Sequence, residues 1–257
     1  MKKFITFCAL AALPITQTLA NEDTTQDMSD PLAIFAQIGA GVTNKGLNLK
    51  YGQTYDTGVE NKAGMNVLEV KGIAGDTLGW YDDESQTNDS IDSFRIRNFT
   101  ANVKNGHGKQ IDINYNTNNE FGTASYSMLQ ALPALGPVSF FPLAGAGVAF
   151  GNNVVGDDGK VQSGYSVPGT FALVGTYTKI AVTDKIWLNY NPMWMTTLSG
   201  SDNFKDHGFE GDSSVLNHEF AISYQFTPRF NMRYFANWSE NTHFGDGDHR
   251  IEFNYQL

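Results

Sequence analysis

Arg250-Ile251-Glu252-Phe253-Asn254-Tyr255-Gln256-Leu257 closes the sequence, with every odd position apolar or aromatic and every even position polar. A period of two held over eight residues describes a β-strand with one apolar and one polar face. The segment upstream repeats it: Phe230, Met232, Tyr234, Ala236 and Trp238 share one parity, and before them Phe220, Ile222, Tyr224 and Phe226 do the same. Only Thr227-Pro228-Arg229 separates these two runs, a tight turn in which proline pre-sets one backbone angle. A second pair, Thr170 to Ile180 and Ile186 to Thr196, is joined through Thr183-Asp184-Lys185, whereas 198 to 214 between the pairs is long, glycine-bearing and charged.

Short turns alternating with long polar loops indicate an all-β chain, a transmembrane antiparallel up-and-down β-barrel. Continued upstream, the pattern yields strands at 33-42, 45-55, 65-80, 91-104, 108-117, 121-131, 138-150, 167-180, 185-197, 215-226, 229-239 and 249-257. Twelve is the favoured count. Ten or eight are the alternatives if the early, glycine- and asparagine-interrupted segments form a lumen plug or irregular loops. Most segments reach the roughly 9 to 11 residues a tilted spanning strand needs. The apolar parity switches near Asn98-Phe99, which predicts a bulge or a change of environment. Met128 to Phe150 is more apolar than alternation requires, but Pro133, Pro137 and Pro142 argue against a helix, so a turn near 134-137 and a new strand from Val138 are expected. Trp80, Trp194 and Trp238 fall at or near strand ends beside the outward loops, as an interfacial girdle would place them; the parity of Trp187 points to the lumen.

The other end of the chain sets the compartment. Lys2 and Lys3 precede the apolar run Phe4 to Leu13 and the small-residue pattern Thr18-Leu19-Ala20, which predicts a cleaved signal peptide over 1-20. A flexible periplasmic lead-in is expected at 21-32 and the barrel at 33-257. Cys8, the sole cysteine, leaves with the signal, so no disulfide or thiol chemistry is expected of the mature chain. Losing Lys2 and Lys3 takes the formal net charge from -10 to -12. Such acidity argues against nucleic acid, which is bound by neutralising phosphates with basic side chains.

The combination of a signal, alternating strands, Thr-Pro-Arg and Thr-Asp-Lys turns and the aromatic terminal strand resembles the small outer-membrane β-barrels of Gram-negative bacteria. In that class the last strand is an assembly signal, usually ending in phenylalanine; here Phe253, Tyr255 and Leu257 hold its apolar positions, and Leu257 departs from the common ending. The resemblance implies residence in the outer membrane, assembly by the general barrel machinery, and contact with outer-membrane lipid and lipopolysaccharide. It names no particular family and no substrate.

If the apolar face meets lipid, Glu69, Lys71, Arg95, Arg97, Asp112, Glu219, Arg233, Arg250 and Glu252 point into the lumen. These mixed charges would line a narrow passive channel for small polar or amphipathic solutes, or else form a closed paired network in a structural or surface-recognition barrel; their near balance predicts little charge selectivity. Two acidic loop clusters, Asp82, Asp83, Glu84, Asp89 and Asp92, and Asp202, Asp206, Glu210 and Asp212, lack calcium-loop spacing. His243, Asp246, Asp248 and His249 are the densest transition-metal donors, yet Gly245 and Gly247 beside them are what a turn requires. His218 and Glu219 are neighbours on a strand and face opposite ways. No nucleophile elbow, zinc helix or phosphate loop occurs, and no catalytic residue or cofactor is expected. Outer-membrane lipid hydrolases assemble their residues across neighbouring strands, so motif absence does not bear on that class. A soluble β-sandwich is the alternative fold.

Overall fold

The computed structural model describes residues 25-75 and 91-257. The predicted signal, Cys8, Trp80, Asp82, Asp83, Glu84 and Asp89 lie outside them. Thirteen strand segments form one antiparallel sheet: β1 Gln37–Thr43, β2 Gly46–Asp56, β3 Lys62–Ile73, β4 Ser93–Asn102, β5 His107–Asn116, β6 Phe121–Gln130, β7 Val138–Asn152, β8 Tyr165–Ala181, β9 Ile186–Tyr190, β10 Met193–Gly200, β11 Ser214–Thr227, β12 Phe230–Ser239 and β13 Asp248–Gln256. β9 and β10 are two halves of one stave, since both pair with β8 on one side and β11 on the other. The barrel therefore has twelve staves. It closes where β1 meets β13, from Gln37 opposite Gln256 to Thr43 opposite Arg250.

The break between β9 and β10 falls at Asn191-Pro192, where proline has no N–H for the ladder. Substitute bonds cover the gap. The Asn191 backbone N–H donates to the Glu219 carbonyl at 2.8 Å, the Thr176 N–H donates to the Pro192 carbonyl at 3.2 Å, and the Asn191 side-chain oxygen accepts from the Thr178 N–H at 3.0 Å.

Burial decides between barrel and sandwich. On β13, Ile251, Phe253 and Tyr255 are 42%, 44% and 43% exposed, while Arg250, Glu252 and Asn254 are 6%, 1% and 2% exposed. A sandwich would hide the apolar face against a second sheet. Here a single closed sheet buries its polar face and presents Leu49, Leu68, Ile96, Ile111, Val174 and Ile222 outward, the arrangement that suits a hydrocarbon surround. Near the long-loop end the outer surface carries a chain of stacked rings: Tyr190 on His218 (centroids 6.0 Å), His218 on Trp238 (5.0 Å), Trp238 against Phe244 (5.1 Å) and Phe244 against His249 (5.2 Å). Trp194 also faces outward, and Trp187 is buried on the inner face.

The structure departs from the sequence expectation most clearly at β1, β3 and β4. β1 begins at Gln37 rather than 33, because 25-36 turns into the barrel mouth instead of pairing. β3 spans Lys62–Ile73, starting before the expected 65, and the 76-80 part of the expected 65-80 strand lies outside the described residues. No bulge occurs at Asn98-Phe99, where β4 keeps unbroken register with β3 and β5. The environment changes instead: Arg95, Arg97, Phe99 and Ala101 all point inward, and at Phe99 the lumen becomes apolar because Leu32 and Ile34 lie there.

The excess apolarity of 128-150 has a related cause. Leu129, Phe141, Leu143, Phe171, Leu173 and Val215 form a continuous apolar wall inside one half of the lumen. Leu32 from the N-terminal segment and Phe209 from the 201-213 loop pack on it. Gly147 makes room: a Cβ there would stand 2.6 Å from the Phe171 ring. The 201-213 loop is shaped by a short helix, α1 Asp202–His207, capped by the Ser201 hydroxyl, which accepts from the Phe204 N–H at 3.1 Å.

Because Phe253 faces the surround at mid-strand, Phe253→Arg should destabilise the barrel by roughly 2–4 kcal/mol if that position lies near the bilayer midplane. Equilibrium unfolding from phospholipid vesicles measures this, and an unchanged stability would contradict a lipid-facing Phe253.

Candidate functional site: a charged belt inside the barrel

All nine side chains expected in the lumen share the inward parity. Glu69 and Lys71 come from β3, Arg95 and Arg97 from β4, Asp112 from β5, Glu219 from β11, Arg233 from β12, and Arg250 and Glu252 from β13. Most stand together around an internal cavity of about 180 Å³. Arg95 grips Asp112 in a two-pronged contact, Nε to Oδ1 at 2.9 Å and Nη2 to Oδ2 at 2.5 Å. Gln110 and Tyr177 extend it, with the Gln110 amide donating to Asp112 at 3.1 Å and the Tyr177 hydroxyl donating to Gln110 at 2.9 Å. Arg97 pairs with Glu69. The Arg250 Nε is 3.5 Å from Glu252 Oε2. Glu219 accepts from the Asn191 amide at 2.7 Å, and Arg233 donates to neutral partners, Ser223 Oγ at 3.0 Å and Asn189 Oδ1 at 2.7 Å.

Sequence reading missed one member, Lys50, whose ammonium lies 2.5 Å from Glu252 Oε1. The signal was present in Leu47, Leu49 and Tyr51 alternating with Asn48, Lys50 and Gly52. Asn48 also donates to Glu252, at 2.9 Å. Both contacts cross over β1, which lies between β2 and β13. They can do so because the two central inward positions of β1, between Gln37 and Thr43, are Gly39 and Gly41. A Cβ on Gly41 would lie 2.1 Å from the Ile251 carbonyl oxygen and 2.6 Å from Asn48 Oδ1. With Lys50 included, six cations (Lys50, Lys71, Arg95, Arg97, Arg233, Arg250) face five carboxylates (Glu69, Asp112, Glu219, Asp248, Glu252), so this belt leans positive by one charge in an acidic protein.

No protein-family model and no curated protein matches this sequence. Solved structures do match in shape. An outer-membrane channel from Pseudomonas putida F1 superposes with a TM-score of 0.57 over 91% of this chain and 100% of its own, at 7% identity. NanC porin superposes with a TM-score of 0.53 over 86% of this chain and 100% of its own, at 8% identity. The likeness is one of fold, a closed antiparallel β-barrel like those of these two proteins.

The mouth at the tight-turn end is occupied by 25-36. Met28 is buried there, with the amides of Gln225 and Asn231 at 3.3 and 3.5 Å from its sulfur. Asp27 binds the Lys179 ammonium at 3.0 Å. Burial pushes the Asp27 carboxyl up, but hydrogen bonds from Ser29 and the Lys179 ammonium outweigh it and hold the pKa below the ordinary value.

The other polar clusters are dispersed or spoken for. His249 uses both ring nitrogens, Nδ1 on the Tyr234 hydroxyl at 2.8 Å and Nε2 on the Phe244 carbonyl at 2.8 Å. Asp248 lies on the opposite face of its strand from His249, and His243 caps the 3₁₀ turn Phe244–Asp246 without a side-chain bond. Asp202 pairs with Lys205, Glu210 accepts from the Ser239 hydroxyl at 2.6 Å, and Asp212 accepts from the Asn241 amide at 3.4 Å. Asp92 is buried beside Gly72 and accepts from Asn118 at 3.2 Å. Among the described residues no three His, Cys, Asp or Glu side chains form a metal-binding group. His218 and Glu219 point to opposite faces: His218 to the outer ring stack, Glu219 to Asn191.

Two outcomes are expected. Gly41→Leu should cost about 1–3 kcal/mol of stability through overpacking at the closing seam, with Gly41→Ala costing less; thermal unfolding in detergent compares them. For Asp27, a pKa depressed by folding means its stabilising contribution is present above the unfolded value and lost as pH falls through the lower folded value. In a Cys8→Ser background, Met28→Cys should resist a water-soluble thiol reagent at neutral pH. Adding Asp27→Asn should speed labelling, and so should acid below the ordinary carboxylate range when labelling is done at that pH with a pyridyl disulfide, which reacts with thiols in acid.

Proposed function

We propose that this protein is an outer-membrane channel through which small polar or amphipathic solutes pass passively. The observation that carries the reading is the charged belt around an internal cavity, inside a closed barrel whose outer face is apolar. A hydrated, mixed-charge interior lowers the barrier to a polar solute that the surrounding hydrocarbon would refuse. The tight turns at 103-106, 182-185 and 228-229 would face the periplasm and the 153-164, 201-213 and 240-247 loops the exterior, by analogy with the loop asymmetry of such barrels. In this reading the outer surface meets outer-membrane lipid and lipopolysaccharide, and the terminal strand is read by the barrel-assembly machinery.

The passage is narrow. The 25-36 segment crosses the mouth, and Leu32 and Phe209 occupy the apolar half. Neither belongs to the sheet, so either can shift without opening the ladder. The same filling favours a second reading, a non-conducting structural or surface-recognition barrel.

Recording from the purified protein in a planar lipid bilayer separates the two. The channel reading expects reproducible conductance, severalfold larger when 25-35 is deleted, with Arg95→Gln and Arg233→Gln each shifting ion selectivity toward cations. Electrical silence of both the whole and the shortened chain establishes the structural reading instead.

A further inference from the structure

We propose that the lumen cavity is a binding site for a small organic monoanion, a carboxylate carrying an apolar or aromatic group, with its head on Arg250 and Arg233. This rests on the channel reading and names the solute class for it.

The argument begins with charge. Among the buried groups, Lys50 closes on Glu252, Arg97 on Glu69 and Arg95 on Asp112. That leaves Lys71, Arg233 and Arg250 with two carboxylates, Glu219, which also holds the Asn191 amide, and Asp248 on the inward face of β13. Burying a charge without a partner is costly, so a site with one positive charge in excess favours a single negative one.

The second observation is an orphaned donor set. Arg250 is 6% exposed and lines the cavity, yet its Nε and Nη1 are buried with no hydrogen-bond partner. Glu252, which also holds Lys50 and Asn48, approaches the Nε only at 3.5 Å, an ion-pair distance without a formed hydrogen bond. Arg233 lines the same cavity and, among the described residues, has no carboxylate within ion-pair distance, only Ser223 and Asn189. Both guanidiniums lie over one ring, Phe235, at 4.2 Å for Arg250 and 4.6 Å for Arg233. That shared platform holds the two forks near each other, and a planar carboxylate is the acceptor such forks match.

The rest of the lining decides what the anion carries. Phe35, Met65, Val67 and Phe99 border the same cavity, so a ligand with its head on the arginines places its body against apolar side chains. A cavity of about 180 Å³ suits a small organic acid, and the nearby Glu219 and Glu252 disfavour a second negative charge.

The test is titration of the full barrel in detergent with benzoate, benzyl alcohol and acetate by calorimetry, beside benzoate block of conductance. The expected result is saturable one-to-one benzoate binding, with acetate and benzyl alcohol much weaker. Arg250→Gln and Arg233→Gln should each weaken benzoate about tenfold or more, Arg250→Lys should recover part of the loss, and Lys160→Gln on the 153-164 loop should change nothing. Heat-modifiable gel mobility confirms that each variant is a folded barrel; if the glutamine variants do not fold, Arg250→Lys and the three-ligand comparison still decide. Benzoate binding that ignores both arginines, equal binding of benzyl alcohol or acetate, or no benzoate binding overturns the proposal. A conducting barrel that does not bind benzoate refutes the site and leaves the channel standing; a silent barrel that binds it through the arginines refutes the channel and leaves the site.

Discussion

Every strand in this chain carries a row of backbone N–H and C=O groups, and in hydrocarbon a row left unpaired has no water to turn to. The pairing of β1 with β13 removes the last open edge, and the rest of the architecture depends on that seam. Once the sheet is closed, its inner face is cut off from lipid and must hold the polar side chains, while the outer face is free to be apolar. The seam itself is built on small residues. Gly39 and Gly41 leave the middle of the inner surface of β1 bare, so Lys50 and Asn48 of β2 reach across to Glu252 of β13. Side-chain contacts thus tie together the first and last staves that the backbone joins.

Inside, one rule of alternation produces two different surfaces. On β4, β5, β12 and β13 the inward positions are largely charged or amide-bearing, whereas on β7 and β8 they are largely leucine, phenylalanine, alanine and glycine. The lumen is therefore two-sided, with an ionic belt facing an apolar wall. The wall is covered by residues from outside the sheet: Leu32 from the N-terminal segment and Phe209 from the loop after α1. Their burial removes apolar surface from water at about 25 cal/mol per Å², which explains why these segments turn inward although nothing in the ladder holds them.

The ionic belt also shows why pairing matters more than charge count. Arg95, Arg97 and Lys50 each meet a carboxylate directly, and these contacts link neighbouring or near-neighbouring staves. Arg233 and Arg250 share the Phe235 ring; Arg233 donates to the neutral Ser223 and Asn189, and Arg250 approaches Glu252 only at 3.5 Å. The first set braces the wall; the second leaves donors directed into the cavity.

Much of this was legible in residue order. Alternation from Phe220 to Leu257 revealed the last three strands and their inward residues, because a strand's side chains must take opposite faces in turn and no other information is needed to sort them. The same periodicity located nearly all twelve staves and nine inward charged residues. Lys50 escaped notice because Gly46, Asn48 and Gly52 blur the contrast on which that reading relies. The apolar inner wall could not be inferred from Met128 to Phe150, since a strand apolar on both faces does not say which face meets lipid. The placement of 25-36 was equally hidden, as its polar half has no period to read and its apolar half, Leu32 to Ala36, reads as the start of a strand. Sequence alone therefore determined the alternating strands and the side each charge would take, because periodicity is local; only the closed tertiary structure decided which charges meet, which are left unpaired and what fills the lumen, because those depend on staves distant in the chain becoming neighbours around the ring.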